Sequence, residues 1–180
     1  NPNNWNKSNP FGYAIWFQKQ CRLESRTYYN FLKDSVNPLP QYQRDKLPLQ
    51  RVVQILKRHR AIMFEDDEDK PISIIITTLA SKAYKKESNV TDALINIINN
   101  MAYYIEKKYS PESGKWIKWV SNPVNSEENF ADKWPESPKK EQNFYNWIDS
   151  LKYDFLPTFK LKGFPQIKNS LSKSFGEQVV

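Results

Sequence analysis

Apolar side chains recur every three or four residues in several parts of this chain, and that spacing is typical of helices that bury one face. The pattern predicts a helix from about Leu49, one from Asn89 or Thr91 to about Lys108, and one from Ser137 through Leu151. Asparagine, threonine and serine are common helix caps, because their side chains accept a backbone N–H of the first turn. The core positions predicted for the three helices are Leu49, Val52, Val53, Leu56 and Met63; Ala93, Leu94, Ile97, Ile98, Met101, Tyr104 and Ile105; and Phe144, Trp147, Ile148 and Leu151.

Weaker helical patterns lie near both ends of the chain. A helix from Pro10 to Gln20, capped by Ser8, would place Phe11 and Ile15 on successive turns, and a last helix is predicted from Pro165 to Phe175. The first of these helices is rich in aromatic residues. Aromatic side chains at helical spacing either pack in a core or form a platform for stacked bases, and core packing is the expected role here.

The segment from Ile72 to Lys86 has features of both a strand and a helix. Its first half is rich in Ile and Thr, which favour strands, but Pro71 suits a first helical turn and the segment is longer than an ordinary strand. We therefore predict a central helix with a dry side and a polar stripe that faces a water-filled cleft. The dry side contains Ile72, Ile76 and Leu79, and the stripe contains Ser73, Thr77, Ser81 and Tyr84.

Charged residues mark the junction between the first long helix and this central one. The run Glu65 to Asp69 consists of five adjacent acids, which repel one another and predict a solvated loop rather than a set of converging metal ligands. Arg60 falls inside the apolar arc of its helix, so it requires a carboxylate partner or a position from which it reaches water. His59 borders the same arc and is expected to pack there, with a catalytic base as the alternative.

The fold class predicted from these patterns is all-α, a mainly helical bundle that forms one domain over residues 1–180. Two short regions are less regular. Residues 110–121 turn about Gly114 and predict either a short hairpin or an irregular loop, and residues 128–134 predict one short helix.

Composition narrows the class of protein. The chain has 180 residues, a formal net charge of +7 and a single cysteine, Cys21. One cysteine cannot form an internal disulfide, which indicates a reducing compartment, and we expect the cytoplasm. No apolar run reaches the roughly 18 residues of a membrane-spanning helix, so no membrane partner is expected. The positive charge favours anionic partners, and the four separated glycines exclude a glycine-rich phosphate loop.

Three groups of residues carry a resemblance to a known family. They are Pro48 to Arg60 (PLQRVVQILKRHR), Pro71 to Ala80 (PISIIITTLA), and Asn122-Pro123 together with Glu128 to Trp134 (ENFADKW). In combination they resemble the C-terminal helical half of the CD-NTases. These are bacterial nucleotidyltransferases related to cyclic GMP-AMP synthase and oligoadenylate synthase. The resemblance covers most of the chain and implies a helical bundle like that of oligoadenylate synthase and poly(A) polymerase, without the α/β catalytic core.

The resemblance implies an enzyme that joins nucleoside triphosphates into a cyclic oligonucleotide signal for antiphage defence. Its phosphoryl transfer uses two Mg²⁺ ions held by carboxylates, and a Gly-Ser turn grips the triphosphate. This chain has no Gly-Ser pair and no Asp-x-Asp set between apolar residues. We therefore expect the Mg²⁺ site in a catalytic half upstream of Asn1, no catalytic residue or metal ligand in this chain, and no activity from the chain alone.

The resemblance also implies which residues contact the nucleotide. The helical half of these enzymes closes one side of the active cleft and supplies a lysine and a serine to the donor triphosphate. By position these residues are Lys57 and Ser73. Lysine offers phosphate a compact charge, and a hydroxyl beside a helix N-terminus can join the backbone donors there. Without the resemblance, Lys57 would be a solvated helix lysine and Ser73 a helix-start residue. Further candidate neighbours are Gln50, Arg51, Arg58 and Thr77.

Two hypotheses from other classes stand beside the enzyme. A standalone basic helical module would bind nucleic acid through exposed Lys and Arg, with an affinity that falls steeply as salt rises. A structural scaffold would bind neither nucleic acid nor triphosphate. The expected partners are nucleoside triphosphates and the N-terminal catalytic half, with a nucleic acid or a regulatory protein as further candidates.

Overall fold

A computed structural model describes residues 9–23 and 46–157. In these residues the chain forms five α-helices, one 3-10 helix and two antiparallel two-stranded sheets. The helices are α1 (Pro10–Cys21), α2 (Pro48–Phe64), α3 (Ser73–Ala83), α4 (Val90–Asn100) and α5 (Pro138–Phe155), and the 3-10 helix is Met101–Tyr104. The strands are β1 (Glu106–Ser110), β2 (Lys115–Trp119), β3 (Ser121–Asn122) and β4 (Asn125–Asn129).

The mainly helical class is confirmed, but the all-α prediction is wrong in part because both sheets lie between α4 and α5. The first is a hairpin that pairs Lys107 with Lys118 and Tyr109 with Trp116. Gly114 closes it with a φ of 65°, a left-handed conformation that favours glycine. The hairpin prediction for residues 110–121 is therefore the correct alternative, although the pairing begins earlier, at Glu106.

Helix caps follow the local sequence. Asn89 caps α4 by accepting the backbone N–H of Asp92 at 2.8 Å, as one of the two predictions had it. At α1 the cap is Asn9, whose side chain accepts the N–H of Gly12 at 2.8 Å, whereas the predicted cap Ser8 lies outside the described residues. Pro71 precedes α3 rather than standing in its first turn, because Ile72 is the N-cap.

The core lies where α2, α3, α4 and α5 meet. Most core positions predicted from helical periodicity are buried. The exceptions are five exposed side chains, Phe11, Ile15, Met63, Ile72 and Tyr104, of which Phe11 is the most exposed at 59%. The fully buried predicted positions are Leu49, Val52, Leu56, Ile76, Leu79, Ala93, Ile97, Ile98, Met101, Phe144, Trp147 and Leu151.

Two predicted helical spans are wrong, and both errors involve asparagine. Helix α4 ends at Asn100 rather than near Lys108, and the amide of Asn100 donates to the carbonyl of Asn96 at 2.8 Å. Residues 128–134 form the end of β4 and a series of turns instead of a helix. There the side-chain oxygen of Asn129, Oδ1, accepts the N–H groups of Val120 at 2.8 Å and Ala131 at 2.9 Å. Such side-chain bonds offer the backbone an alternative to the helix.

The predicted helix from Pro165 to Phe175 lies outside the described residues. Across residues 9–23 and 46–157, no helix is long and apolar enough to span a bilayer.

Candidate functional site

Lys57 lies in the middle of α2 and is half-buried. Its side-chain ammonium makes no hydrogen bond or ion pair with any other residue in the described part of the chain. Burial lowers the pKa of Lys57, and the positive charge of Arg60 lowers it further. The environment of Lys57 differs from that of an ordinary surface lysine, because its ammonium is half-buried and lies beside a second cation. An anion bound at this position would favour the charged form of the ammonium.

Arg60 follows Lys57 by three residues and therefore lies about one turn further along α2. Its Nη1 donates to the carbonyl of Pro71 at 3.1 Å, and its Nη2 donates to the hydroxyl of Ser73 at 3.2 Å. Of the two alternatives predicted for Arg60, no carboxylate pair is found among the described residues, where its acceptors are a neutral carbonyl and a neutral hydroxyl. Arg60 is partly exposed, in line with the other alternative, a position from which it reaches water. Arg60 is the residue that connects α2 with the start of α3 at this site.

Lys57, Arg60 and Ser73 together form what we call the cation cluster. Lys57 interacts electrostatically with Arg60, and Arg60 is bonded directly to Ser73. In the described part of the chain, no Asp or Glu forms an ion pair with either cation of this cluster. The Ser73 hydroxyl accepts from Arg60 and keeps its own proton to donate. Two cations and a hydroxyl without a carboxylate can together bind an anion.

The other four candidate residues do not join the cluster. Gln50 is used at the start of α2, where its side-chain oxygen accepts the N–H of Leu47 at 2.9 Å. Arg51 donates to the carbonyl of Lys46 at 3.2 Å, also at the start of the helix. Arg58 is exposed to solvent. Thr77 is buried, and its hydroxyl donates to the carbonyl of Ser73 at 2.8 Å.

The water-filled cleft predicted along α3 is absent from the described structure at Thr77, Ser81 and Tyr84, which are all buried. Their hydroxyl groups donate to nearby backbone carbonyls. Ser81 donates to the carbonyl of Thr77 at 2.7 Å, and Tyr84 donates to that of Glu87 at 2.8 Å. Of the predicted stripe, only Ser73 is at a partly exposed position, at the beginning of the helix.

The acidic run forms a loop, as predicted, but two of its carboxylates are bound by α5. Lys139 contacts Asp67 at 3.3 Å and Asp69 at 3.1 Å, and Lys140 contacts Asp69 at 3.0 Å. The backbone N–H of Asp69, and then Lys139, hold the pKa of Asp67 below its usual range, and Lys140 and Lys139 do the same for the pKa of Asp69. Asp67 and Asp69 are poor candidates for Mg²⁺ ligands, because their negative charges are already paired with lysines. Within the described ranges, no three His, Cys, Asp or Glu residues are grouped to hold a metal ion.

His59 is buried, as the packing interpretation predicted. Its Nε2 lies 2.8 Å from Oδ2 of Asp154 on α5, and its ring lies 5.9 Å from that of Phe155. The side chain therefore joins α2 to α5 inside the fold, which favours a structural role over that of a catalytic base.

The resemblance named Lys57 and Ser73 as candidates, and sequence reasoning missed Arg60 as the residue between them. The signal was present, since Arg60 lies three residues after Lys57 inside an apolar arc where a charge needs a partner. Periodicity shows which face of α2 carries Arg60, but it does not show which groups accept its hydrogen bonds. Those acceptors are Pro71 and Ser73, in the segment after the acidic loop.

No protein-family model matches the chain. One relative is a protein of Roseivirga ehrenbergii named c-di-GMP synthase, 30% identical over 177 residues that make up 96% of this chain and 45% of that protein. A solved structure of the CD-NTase CdnG of Bradyrhizobium diazoefficiens, in complex with GTP, superposes with a TM-score of 0.67. It is 20% identical and covers 96% of this chain and 53% of that one, so it shows a shared fold.

The chain thus spans about half the length of the relatives it matches. Both comparisons extend over nearly all of its residues, and they agree with the resemblance carried by the α2 and α3 sequences. The chain is therefore similar in sequence to a protein named c-di-GMP synthase and similar in fold to a CD-NTase.

Proposed function

We propose that this chain is the C-terminal helical half of a cyclic-oligonucleotide synthase, and that it binds the donor nucleoside triphosphate through Lys57 and Ser73. In this proposal the helical half closes one side of the active cleft. The synthase acts in antiphage defence in the bacterial cytoplasm.

The observation that carries the proposal is the cation cluster. Lys57 is half-buried next to Arg60, and within the described residues neither forms an ion pair with a carboxylate. Placing two cations together without a counter-ion is unfavourable unless a ligand supplies the negative charge. A triphosphate supplies several negative charges, and its oxygens can accept from the ammonium, the guanidinium and the hydroxyl.

The comparisons support a nucleotide rather than a nucleic acid as the ligand. The structural neighbour was solved with GTP, and the relative is named for making c-di-GMP. Neither comparison favours the standalone nucleic-acid-binding module.

The proposal assigns the Mg²⁺ ions to a separate catalytic half. The carboxylates of the acidic loop do not fit that role, since Asp67 and Asp69 are bound by Lys139 and Lys140. The contribution of this chain is to hold the triphosphate, and the metal ions would supply the activation of the reacting oxygens.

The test compares Lys57→Ala, Ser73→Ala and Arg58→Ala in the native protein that contains these 180 residues. Dissociation constants for GTP, ATP and inorganic tripolyphosphate are measured by calorimetry, and cyclic products are measured by chromatography. A charge-assisted hydrogen bond is worth about 1.5–3 kcal/mol, so Lys57→Ala is expected to weaken triphosphate binding by about tenfold or more. Ser73→Ala is expected to have a smaller effect, about threefold, because a hydroxyl forms a neutral bond.

Arg58→Ala is the matched control, because it removes one positive charge from the neighbouring position on the exposed side of α2. It should leave triphosphate affinity nearly unchanged. Equal losses in Lys57→Ala and Arg58→Ala would indicate diffuse attraction and contradict a specific site. An intact protein that binds no triphosphate would contradict the proposed function itself.

A further inference from the structure

Arg60 has more donors than its surroundings use. A guanidinium carries five N–H groups, and Arg60 donates two bonds, from Nη1 to Pro71 and from Nη2 to Ser73. Its Nε is buried, with no partner among the described residues. Both acceptors are neutral, and among residues 9–23 and 46–157 no carboxylate forms an ion pair with Arg60.

The position of these two acceptors is also defined. Pro71 is the last residue before the N-cap of α3, and Ser73 is the first residue of that helix. By bonding both, the Arg60 guanidinium fixes the entry to α3 against the middle of α2. The bond from Arg60 also holds the Ser73 hydroxyl in place beside the guanidinium, and Arg60 itself lies about one helical turn from Lys57.

We propose that Arg60 holds Ser73 in place and is itself a third phosphate-binding group, so that the cation cluster recognises a polyphosphate chain rather than a single phosphate. This inference rests on the proposed function and names a residue and a ligand class beyond it. Its physical basis is the spacing of the donors. Three residues of helix separate Lys57 from Arg60 by about 4.5 Å along the axis, so the two cations can face different phosphate groups of one chain.

Arginine suits this double role better than lysine does. Its planar guanidinium can donate one N–H of each Nη group to Pro71 and Ser73, while the second N–H of each Nη group donates to phosphate oxygens. A lysine at the same position would keep the charge but would lose the fixed pair of bonds to the start of α3. Arg60→Lys therefore separates the positioning function from the charge.

The experiment measures the affinities of inorganic tripolyphosphate and orthophosphate for the native protein and for Arg60→Lys, Arg60→Met and Arg58→Met. We expect the native protein to prefer tripolyphosphate, Arg60→Met to lose about tenfold in tripolyphosphate affinity, and Arg60→Lys to lose about threefold. Orthophosphate affinity should change less than twofold in each, because Lys57 alone is sufficient to bind a single phosphate. Arg58→Met should match the native protein for both ligands.

The outcomes distinguish this inference from the proposed function. If the native protein binds tripolyphosphate and Lys57→Ala weakens binding, but Arg60→Lys and Arg60→Met bind as tightly as the native protein, the inference is wrong and the proposed function stands. Equal losses for orthophosphate and tripolyphosphate would also overturn it. Thermal unfolding of each variant shows whether it is folded; if Arg60→Met does not fold, the comparison of Arg60→Lys with the native protein decides the question.

Discussion

Lys140 at the start of α5 binds Asp69 in the loop between α2 and α3, with 3.0 Å between Nζ and Oδ1. Lys139 joins the same carboxylate from its other oxygen at 3.1 Å, and Asn143 donates to the Asp69 carbonyl at 3.2 Å. We call these four residues, together with Asp67, the loop clasp. The clasp anchors the loop just before Pro71, whose carbonyl accepts from Arg60. It therefore links α5 to the entry of α3, next to the cation cluster.

The loop clasp should make stability depend on pH at both extremes. Lys139 and Lys140 lower the pKa of Asp69, so the carboxylate stabilises the fold above the ordinary aspartate pKa of about 3.9, and this stabilisation is lost as pH falls through the lowered value. The pKa of Lys139 is raised by Asp69 and Asp67, so its contribution is complete below the ordinary lysine pKa of about 10.4 and is lost as pH rises through the raised value.

Urea unfolding of Asp69→Asn across this pH range checks the prediction. The variant should have a lower midpoint than the native protein near neutral pH, and the two midpoints should converge in acid. Asp66→Asn is the control, because Asp66 is an exposed acid of the same loop without a bond to α5. If the difference in urea midpoint between Asp69→Asn and the native protein does not change with pH, the loop clasp does not stabilise the fold through its charges.

The buried contact between His59 and Asp154 predicts a larger effect than the clasp. The two side chains join α2 to α5 at 2.8 Å, with His59 almost fully covered. Removing Asp154 leaves a buried ring nitrogen without this acceptor, so Asp154→Ala should lower the free energy of unfolding by about 1–3 kcal/mol. Asp149→Ala, at an exposed position of the same helix, should change it by less than about 0.5 kcal/mol. Equal effects of the two substitutions would contradict a specific role for the pair.

The helices could be predicted from the sequence because each buries one face, and burial leaves a period in the chain. Leu49, Val52 and Leu56 on α2 lie one turn apart and are fully buried, as their spacing required. Asn89 was recognisable because a cap acts on the turn that follows it, within three residues. These are local signals, and they were sufficient for the cores and starts of α2, α4 and α5.

The features that could not be predicted depend on residues distant in the sequence. The clasp joins Asp69 to Lys140, and no local pattern in an acidic run indicates that lysines of another helix will neutralise it. The first hairpin could be given only as one of two alternatives, because β1 reads EKKYS and has no apolar alternation. It is held by cross-strand pairs such as Tyr109 with Trp116, at 5.9 Å between ring centroids. The resemblance supplied Lys57 and Ser73, whereas the connection through Arg60 required the fold.

Thr77 and Thr78 offer a direct comparison of two buried hydroxyls on α3. Thr77 donates to a carbonyl of its own helix, whereas the Thr78 hydroxyl lies 2.8 Å from the hydroxyl of Tyr13 on α1. Thr78→Val would leave the Tyr13 hydroxyl without its partner, so it should cost about 1–3 kcal/mol of unfolding free energy. Thr77→Val should cost less than about 1 kcal/mol, because the carbonyl of Ser73 keeps its helical bond.

Chemical denaturation of the two valine variants and of Tyr13→Phe measures these effects. Thr78→Val and Tyr13→Phe should be strongly non-additive in the double variant, since each removes the same bond. Thr77→Val should also leave triphosphate affinity unchanged, because its buried hydroxyl bonds the backbone carbonyl of Ser73 and not the phosphate-binding side chains of the cation cluster. A loss of triphosphate affinity in Thr77→Val would restore this residue as a site neighbour and contradict the structure.

Triphosphate binding should raise the pKa of Lys57. Burial and the charge of Arg60 lower this pKa in the free protein, so the folded state binds the Lys57 proton less tightly than the unfolded chain does. This lysine therefore lowers stability at neutral pH, and that cost decreases as pH rises from the lowered folded pKa to the ordinary value of about 10.4. A bound triphosphate places negative charge beside the ammonium, which opposes both causes of the shift.

Nuclear magnetic resonance of the lysine side chains, titrated with and without tripolyphosphate, measures the change in the pKa of Lys57. Uncharged guanosine is the matched control, since it offers the base and sugar without phosphate and should leave the Lys57 pKa where it was. If tripolyphosphate binds and this pKa does not rise, the phosphates lie elsewhere on the protein, and Lys57 is not their ligand.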